Sequence, residues 1–214
     1  MKPAAAWLTG ALIVLFARFI TAVRGIWQGG PPAPGARVYF ANHASHGDFV
    51  LIWTVLPPAL RRLTRPVAGS DYWLTSAIRR FIGRDVLNAV LIDRTRGDPD
   101  EDPVAKMAAA LDEGSALILF PEGTRNTTGV PLLPFKSGLY HLAKLRPEID
   151  LVPVWLANLN RVMPKGEVVP IPMICTVTFG EAIRLHPAEE KKDFLARAEA
   201  ALRALAPRRA EPGT

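Results

Sequence analysis

Asn42-His43-Ala44-Ser45-His46-Gly47-Asp48 places an imidazole and a carboxylate five positions apart, directly after the apolar run Val38-Tyr39-Phe40-Ala41. Phe120-Pro121-Glu122-Gly123-Thr124-Arg125 places a carboxylate, a glycine, a hydroxyl and a guanidinium after a second apolar run, Ala116 to Leu119. Residues that follow strands in α/β proteins gather at one sheet edge, where ligands bind. The first word offers a general base with an orienting acid, and the second offers an anion site. Together they suit chemistry on a phosphorylated substrate.

Histidine is the usual general base because its pKa lies near the working pH. His43 would take a proton from a substrate hydroxyl on one ring nitrogen. Asp48 would bind the other ring N–H, setting the tautomer and stabilising the imidazolium as it forms. Gly47 permits the tight turn that folds Asp48 back toward His43. Residue types alone leave a plainer reading open, in which Asp48 caps the following helix and His43 is a hydrogen-bonded loop residue. There is no G-x-S-x-G nucleophile elbow, so a covalent intermediate on a serine is not indicated. His43, His46 and Asp48 also allow a metal-dependent phosphoesterase as a rival, although His141 and His186 lie far along the chain and add no ligand spacing. A lipid-binding protein without turnover is a third class, but binding alone does not require a base.

The two words in this order resemble the glycerophospholipid acyltransferases, in particular the 1-acylglycerol-3-phosphate (lysophosphatidate) acyltransferases. Asn42, His43 and Asp48 match the family pattern NHxxxxD, and residues 120 to 125 match FPEGTR without a gap. The likeness spans roughly residues 35 to 185. It implies O-acyl transfer from a thioester, acyl-CoA or acyl carrier protein, to the free hydroxyl of lysophosphatidate, giving phosphatidate in phospholipid biosynthesis. No further cofactor and no metal are implied. His43 and Asp48 become the catalytic pair, while Glu122, Gly123, Thr124 and Arg125 become acceptor-site residues. Leu91-Ile92-Asp93-Arg94 resembles the second family motif more loosely and makes Arg94 a second phosphate ligand. Phe135-Lys136-Ser137-Gly138 resembles the stretch that trails the third motif and adds Lys136, for either the acceptor or the donor phosphate. Charge alone leaves Glu122 open, since a carboxylate repels a phosphate; it can orient an arginine or bind a glycerol hydroxyl. Another lysophospholipid or lipid alcohol fits the same chemistry.

Composition sets the partners. The 214 residues carry 26 basic and 20 acidic side chains, a formal charge of +6, which suits phospholipid headgroups, a phosphorylated substrate or an acidic carrier. The basic residues are scattered and form no recognition motif, so nucleic acid is not expected. The single cysteine, Cys175, excludes an internal disulfide.

No charge occurs from Ala4 to Ala17, and the apolar composition resumes after Arg18. As a helix, residues 4 to 23 would be about 30 Å long, close to the hydrocarbon thickness of a bilayer. Arg18 inside that stretch makes a helix lying in one leaflet as good a reading as a span. Lys2 is compatible with a signal peptide, but no small-x-small cleavage site follows it; a buried soluble helix is the remaining reading. Arg18, Arg24 and Arg37 favour the cytoplasmic face of the inner membrane.

The expected divisions are an N-terminal membrane-associated helix over 1–28, a Gly/Pro linker over 29–36, an acyltransferase domain over 37–207 and a disordered tail over 208–214. Strands are expected near 37–41, 67–69, 89–92, 116–120, 151–156 and 174–179. Helices are expected from about 48 to 55, 72 to 82, 103 to 113, 136 to 145 and 189 to 206, with Ser70 or Asp71 capping the second. Strands alternating with helices predict an α/β fold with a largely parallel central sheet flanked by helices. Pro153 within a strand predicts an edge or an irregularity.

Overall fold

The computed structural model describes residues 4–45, 47–93, 102–128, 130–157 and 174–207. Its elements are α1 (Ala4–Thr21), β1 (Arg24–Trp27), β2 (Arg37–Ala41), α2 (Asp48–Val55), α3 (Pro58–Leu63), β3 (Thr64–Gly69), α4 (Ser70–Trp73) and α5 (Ala77–Arg80). A π-helical turn (Phe81–Val86) follows, then β4 (Val90–Ile92), α6 (Pro103–Asp112), β5 (Ala116–Leu119), α7 (Gly138–Leu145), β6 (Asp150–Ala157), β7 (Thr176–Phe179) and α8 (Lys191–Arg203).

The described strands form one sheet in the order β1-β7-β6-β2-β5-β3-β4. From β6 to β4 every pairing is parallel, while β7 runs antiparallel to β6 and carries β1 parallel to itself. Helices cover both faces, as expected from strands that read as continuous apolar runs. Alternation along β2 divides the core. Tyr39 and Ala41 pack with α1, α2 and the π-turn, while Val38 and Phe40 pack with α6, α7 and α8. Asp102 caps α6 by accepting from the Val104 N–H at 2.8 Å, with Pro103 at the first helical position, as read from the sequence.

Three local expectations are corrected. The stretch over 72–82 is not one helix: α4 stops at Trp73, Ser76 restarts α5 by accepting from the Arg79 N–H, and a π-turn ends the run. The cap of α4 is Gly69, with no side-chain cap bond, so neither Ser70 nor Asp71 serves that role. Pro153 lies in an interior strand, opposite Phe40 on β2, so the edge expectation fails. The irregularity is real. Val154 opposes Phe179 but Leu151 opposes Ile183, so one extra residue is accommodated beside the proline, which has no N–H to donate there.

The N-terminal division also differs. Residues 24–27 are a sheet strand, not the end of a helix, and Gln28 N–H donates to the Phe179 carbonyl at 2.8 Å. Gly29 then passes so close to Gly180 that a Cβ on it would lie 2.3 Å from the Gly180 oxygen. The chain is therefore docked on the body before the Gly/Pro stretch begins. Ala6, Gly10, Val14, Ala17 and Thr21 form the buried stripe of α1. A Cβ on Gly10 would lie 3.3 Å from the Trp53 ring, so small residues let α1 approach α2 closely. Residues 208–214 lie outside the described residues.

Candidate functional site

β2 ends at Ala41, and Asn42 takes over its pairing. The Asn42 side chain donates to the Leu156 carbonyl at 3.0 Å and accepts from the Leu156 N–H at 2.8 Å, tying the strand end to β6. The next residue is therefore presented from a fixed point. His43 Nδ1 lies 2.8 Å from Asp48 Oδ2, and the same oxygen accepts from the backbone N–H of Ala44 at 2.6 Å and of Ser45 at 2.9 Å. A carboxylate oxygen that accepts from those two N–H groups selects the tautomer with hydrogen on Nδ1, leaving the Nε2 lone pair as the basic position. Asp48 is 1% exposed and opens α2, so helix and orienting acid are placed by the same residue.

The second word is laced onto the first. The His43 N–H donates to Glu122 Oε1 at 2.7 Å, and the His43 carbonyl accepts from the Asn126 N–H at 2.6 Å. The imidazole stacks on Phe120, with ring centroids 4.1 Å apart and planes 17° from parallel. His43 is thus held at its backbone N–H, its carbonyl, one ring nitrogen and one ring face.

Glu122 corrects the expectation of an acceptor-site carboxylate. It is 1% exposed, and its second oxygen accepts from the Leu133 N–H at 2.9 Å. Both oxygens are committed to backbone donors, so the residue fastens the loops behind the site. Burial raises its pKa, opposed by the Leu133 and His43 N–H groups. Gly123 makes the turn at φ +69°, and a Cβ there would lie 3.1 Å from Lys136 Cγ. Lys136 is anchored by its N–H to the Pro121 carbonyl at 2.7 Å, and its stem packs over this glycine.

A cavity of about 340 Å³ opens where β2, β5 and β3 end, lined by His43, Phe120, Thr124, Arg125, Asp71 and Trp73 among others. Of the expected site residues, His43, Thr124 and Arg125 line it, with Asp48 directly behind His43. Gly123 shapes the turn, while Glu122 and Lys136 stand outside the lining. Arg94, like His46, lies outside the described residues. Sequence reasoning missed Asn126, Phe120 as the stacking partner, and the wall built by Phe49, Asp71, Tyr72 and Trp73. Adjacency to the FPEGTR word was a signal for Asn126; nothing local marked the wall.

A family model described as Acyltransferase matches residues 31–157. A 1-acyl-sn-glycerol-3-phosphate acyltransferase of Cocos nucifera is 30% identical over 162 residues, which cover 72% of this chain and 48% of that protein. The alpha form from Mus musculus is 28% identical over 165 residues, covering 73% of this chain and 53% of its own length. The chain spans about half the length of these curated relatives. The crystal structure of the 1-acyl-sn-glycerophosphate (LPA) acyltransferase PlsC from Thermotoga maritima shares the fold, with a TM-score of 0.69 at 20% identity over 94% of this chain and 79% of that one. With the family match covering more than half of its residues, from before β2 to the end of β6, this chain belongs to the acyltransferase family.

Proposed function

We propose that this protein moves a fatty acyl group from a thioester, acyl-CoA or acyl carrier protein, to the free glycerol hydroxyl of a 1-acylglycerol-3-phospho lipid, of which lysophosphatidate is the simplest member. The observation that carries the proposal is the His43–Asp48 pair opening onto the same cavity as Arg125. His43 Nε2 takes the hydroxyl proton as the oxygen attacks the thioester carbon. The C–O bond forms, the C–S bond breaks, and the imidazolium returns the proton to the departing sulfur. Asp48 stabilises the imidazolium between these steps. Arg125 grips the phosphate, a task for which a planar guanidinium is suited. Arg94 and Lys136 are further candidates for phosphate contact, the latter from outside the cavity wall.

The test is an acceptor-by-donor panel with purified protein, read by mass spectrometry. Phosphatidate and free thiol should appear together from lysophosphatidate and acyl-CoA, without added metal. Arg125→Ala should raise the acceptor KM by about tenfold or more, leaving donor KM nearly unchanged. An Arg125→Ala enzyme with wild-type acceptor KM would remove the phosphate assignment, and turnover lost on chelation would favour the phosphoesterase reading.

α1 supports membrane attachment as part of this reading: by length and composition it can cross a bilayer, with mean hydropathy 1.8. Its small-residue stripe is buried from Ala6 to Thr21, so the helix lies along the domain over its whole length. Trp7, Phe16 and Phe19 point away, 69%, 66% and 85% exposed. A helix fixed in this way suits a position flat in one leaflet rather than a span. Arg18, close enough to Arg61 to depress the latter's pKa beyond the effect of burial, suits a headgroup contact at the rim. With Arg24 and Arg37 it favours the cytoplasmic face. Replacing Trp7, Phe16 and Phe19 together by serine should cut co-sedimentation with phosphatidylglycerol-containing vesicles by at least about tenfold, because each aromatic contributes on the order of 2 kcal/mol when buried. The thermal melt should hardly move. Undiminished sedimentation of the folded variant would place the attachment elsewhere.

A further inference from the structure

The segment that follows the cavity wall carries positive charge that the reaction does not use. From position 74 to 92 the only charged side chains are Arg79, Arg80, Arg84 and Asp85. All three arginines are exposed, and among the described residues none is paired with a carboxylate. Neutral groups hold two of them. Arg79 donates to the Thr75 hydroxyl at 2.9 Å, and its guanidinium lies 4.4 Å from the centre of the Tyr72 ring. Arg80 donates to the Leu74 carbonyl at 3.4 Å. Such contacts fix a guanidinium in place without neutralising it. Tyr72 lines the cavity, so the Arg79 charge stands one side chain away from it.

Ile78, immediately before Arg79, is 73% exposed. A lone exposed isoleucine is common. One set beside three arginines without acidic partners has the composition of an interfacial lipid contact. The segment is also joined to α1. The π-turn continues α5 without a break, and a Cβ on Gly10 of α1 would lie 3.4 Å from Val86 at the end of that turn. We propose that α5 and the π-turn form a second membrane contact, selective for anionic phospholipid, at the edge of the cavity. Arg79, Arg80 and Arg84 take headgroup phosphates while Ile78 enters the acyl boundary. The contact brings the Tyr72 side of the cavity to the bilayer, from which a lipid acceptor has to come. Only that last point rests on the acyl-transfer reading. The phosphates of a donor would use the arginines alone and leave Ile78 without a role; the isoleucine is what favours a bilayer.

The experiment measures partitioning of the full-length protein into vesicles of phosphatidylcholine alone and of an equal mixture with phosphatidylglycerol. Wild type should bind the mixed vesicles more tightly, and that surplus should shrink as salt rises. Arg79→Gln/Arg80→Gln should cut binding to the mixed vesicles by about tenfold or more and leave binding to neutral ones unchanged. Arg84→Gln, which breaks none of the bonds above, should act in the same direction by about threefold. Ile78→Ser should weaken binding to both compositions by about fivefold. Melts equal to that of wild type show that the variants fold. Wild-type partitioning of folded Arg79→Gln/Arg80→Gln into the mixed vesicles overturns the proposal. So does a raised KM for acyl-CoA or for the acyl carrier protein with vesicle binding unaltered, which would give the arginines to the donor. Transfer to a short-chain lysophosphatidate below its micellar concentration, without vesicles, separates this proposal from the reading it deepens. Wild-type turnover of the double variant there, with its anionic surplus lost, supports the second contact. A wild type that transfers nothing in that assay yet keeps its vesicle selectivity would sink the acyl-transfer reading and keep this one.

Discussion

His43→Ala should lower kcat/KM for acyl transfer by about three to four orders of magnitude while leaving the folded protein intact. The fold should survive because the bonds that lace this position to the FPEGTR loop are made by its backbone, through its N–H to Glu122 and its carbonyl from Asn126. What disappears is the ring, and with it the only imidazole among the described residues that line the cavity. Asp48→Asn tests the same assignment from behind. The oxygen of an asparagine in the Oδ2 position can still accept from the Ala44 and Ser45 N–H groups and from His43 Nδ1–H, so the tautomer is kept. What is lost is the negative charge that stabilises the imidazolium as it forms. The expected result is a fall in kcat of about a thousandfold with acceptor KM little changed. Single-turnover acyl transfer, followed by mass spectrometry in both variants alongside their circular-dichroism melts, is the decisive measurement. Near wild-type turnover in folded His43→Ala would reject the base.

Deletion of residues 1–28 should destroy the cooperative fold rather than produce a detached, soluble enzyme. The segment contains α1, whose buried stripe closes the face formed by α2 and the π-turn, and β1, whose four residues pair with β7. Trp27 stacks on Phe179 with centroids 3.9 Å apart, and Phe179 meets Tyr39 edge to face in the centre of the sheet. Removing the segment uncovers that side of the core and leaves β7 as an unpaired edge. For a domain whose net stability is on the order of 10 kcal/mol, the expected outcome is a Tm lower by about 10 °C or more, or no cooperative transition at all. Thermal denaturation of the truncated chain, with gel filtration to detect aggregates, provides the check. A truncated protein with wild-type Tm would show that α1 and β1 are appendages, and would restore the linker as a true boundary.

Local chemistry made much of the scaffold legible. Strands buried on both faces need unbroken apolar runs, and those at 37–41, 116–119 and 150–157 are where such runs occur. Asp102-Pro103 could be read as a helix start because a cap and its first residue are neighbours in the chain. The long helix over 72–82 could not be read correctly. Its interruption comes from Ser76 capping a fresh start and from Gly83, where a Cβ would lie 3.0 Å from the Trp73 ring, a contact between turns that composition does not reveal. β1 escaped notice for a similar reason: four residues make a strand only when β7, some 150 positions later, offers an edge.

The sequence by itself determined the His43–Asp48 contact, because the two are close enough for one turn to join them, and it singled out Arg125, which lines the same cavity, through the word around it. The tertiary structure decided which face of α1 turns outward, that both Glu122 oxygens fasten the backbone at His43 and Leu133, and that Asp71 stands in the cavity wall. The physical reason is range. A motif records what neighbouring residues can do together, whereas a carboxylate's role depends on whether donors from residues 43 and 133 reach it before solvent or a ligand does.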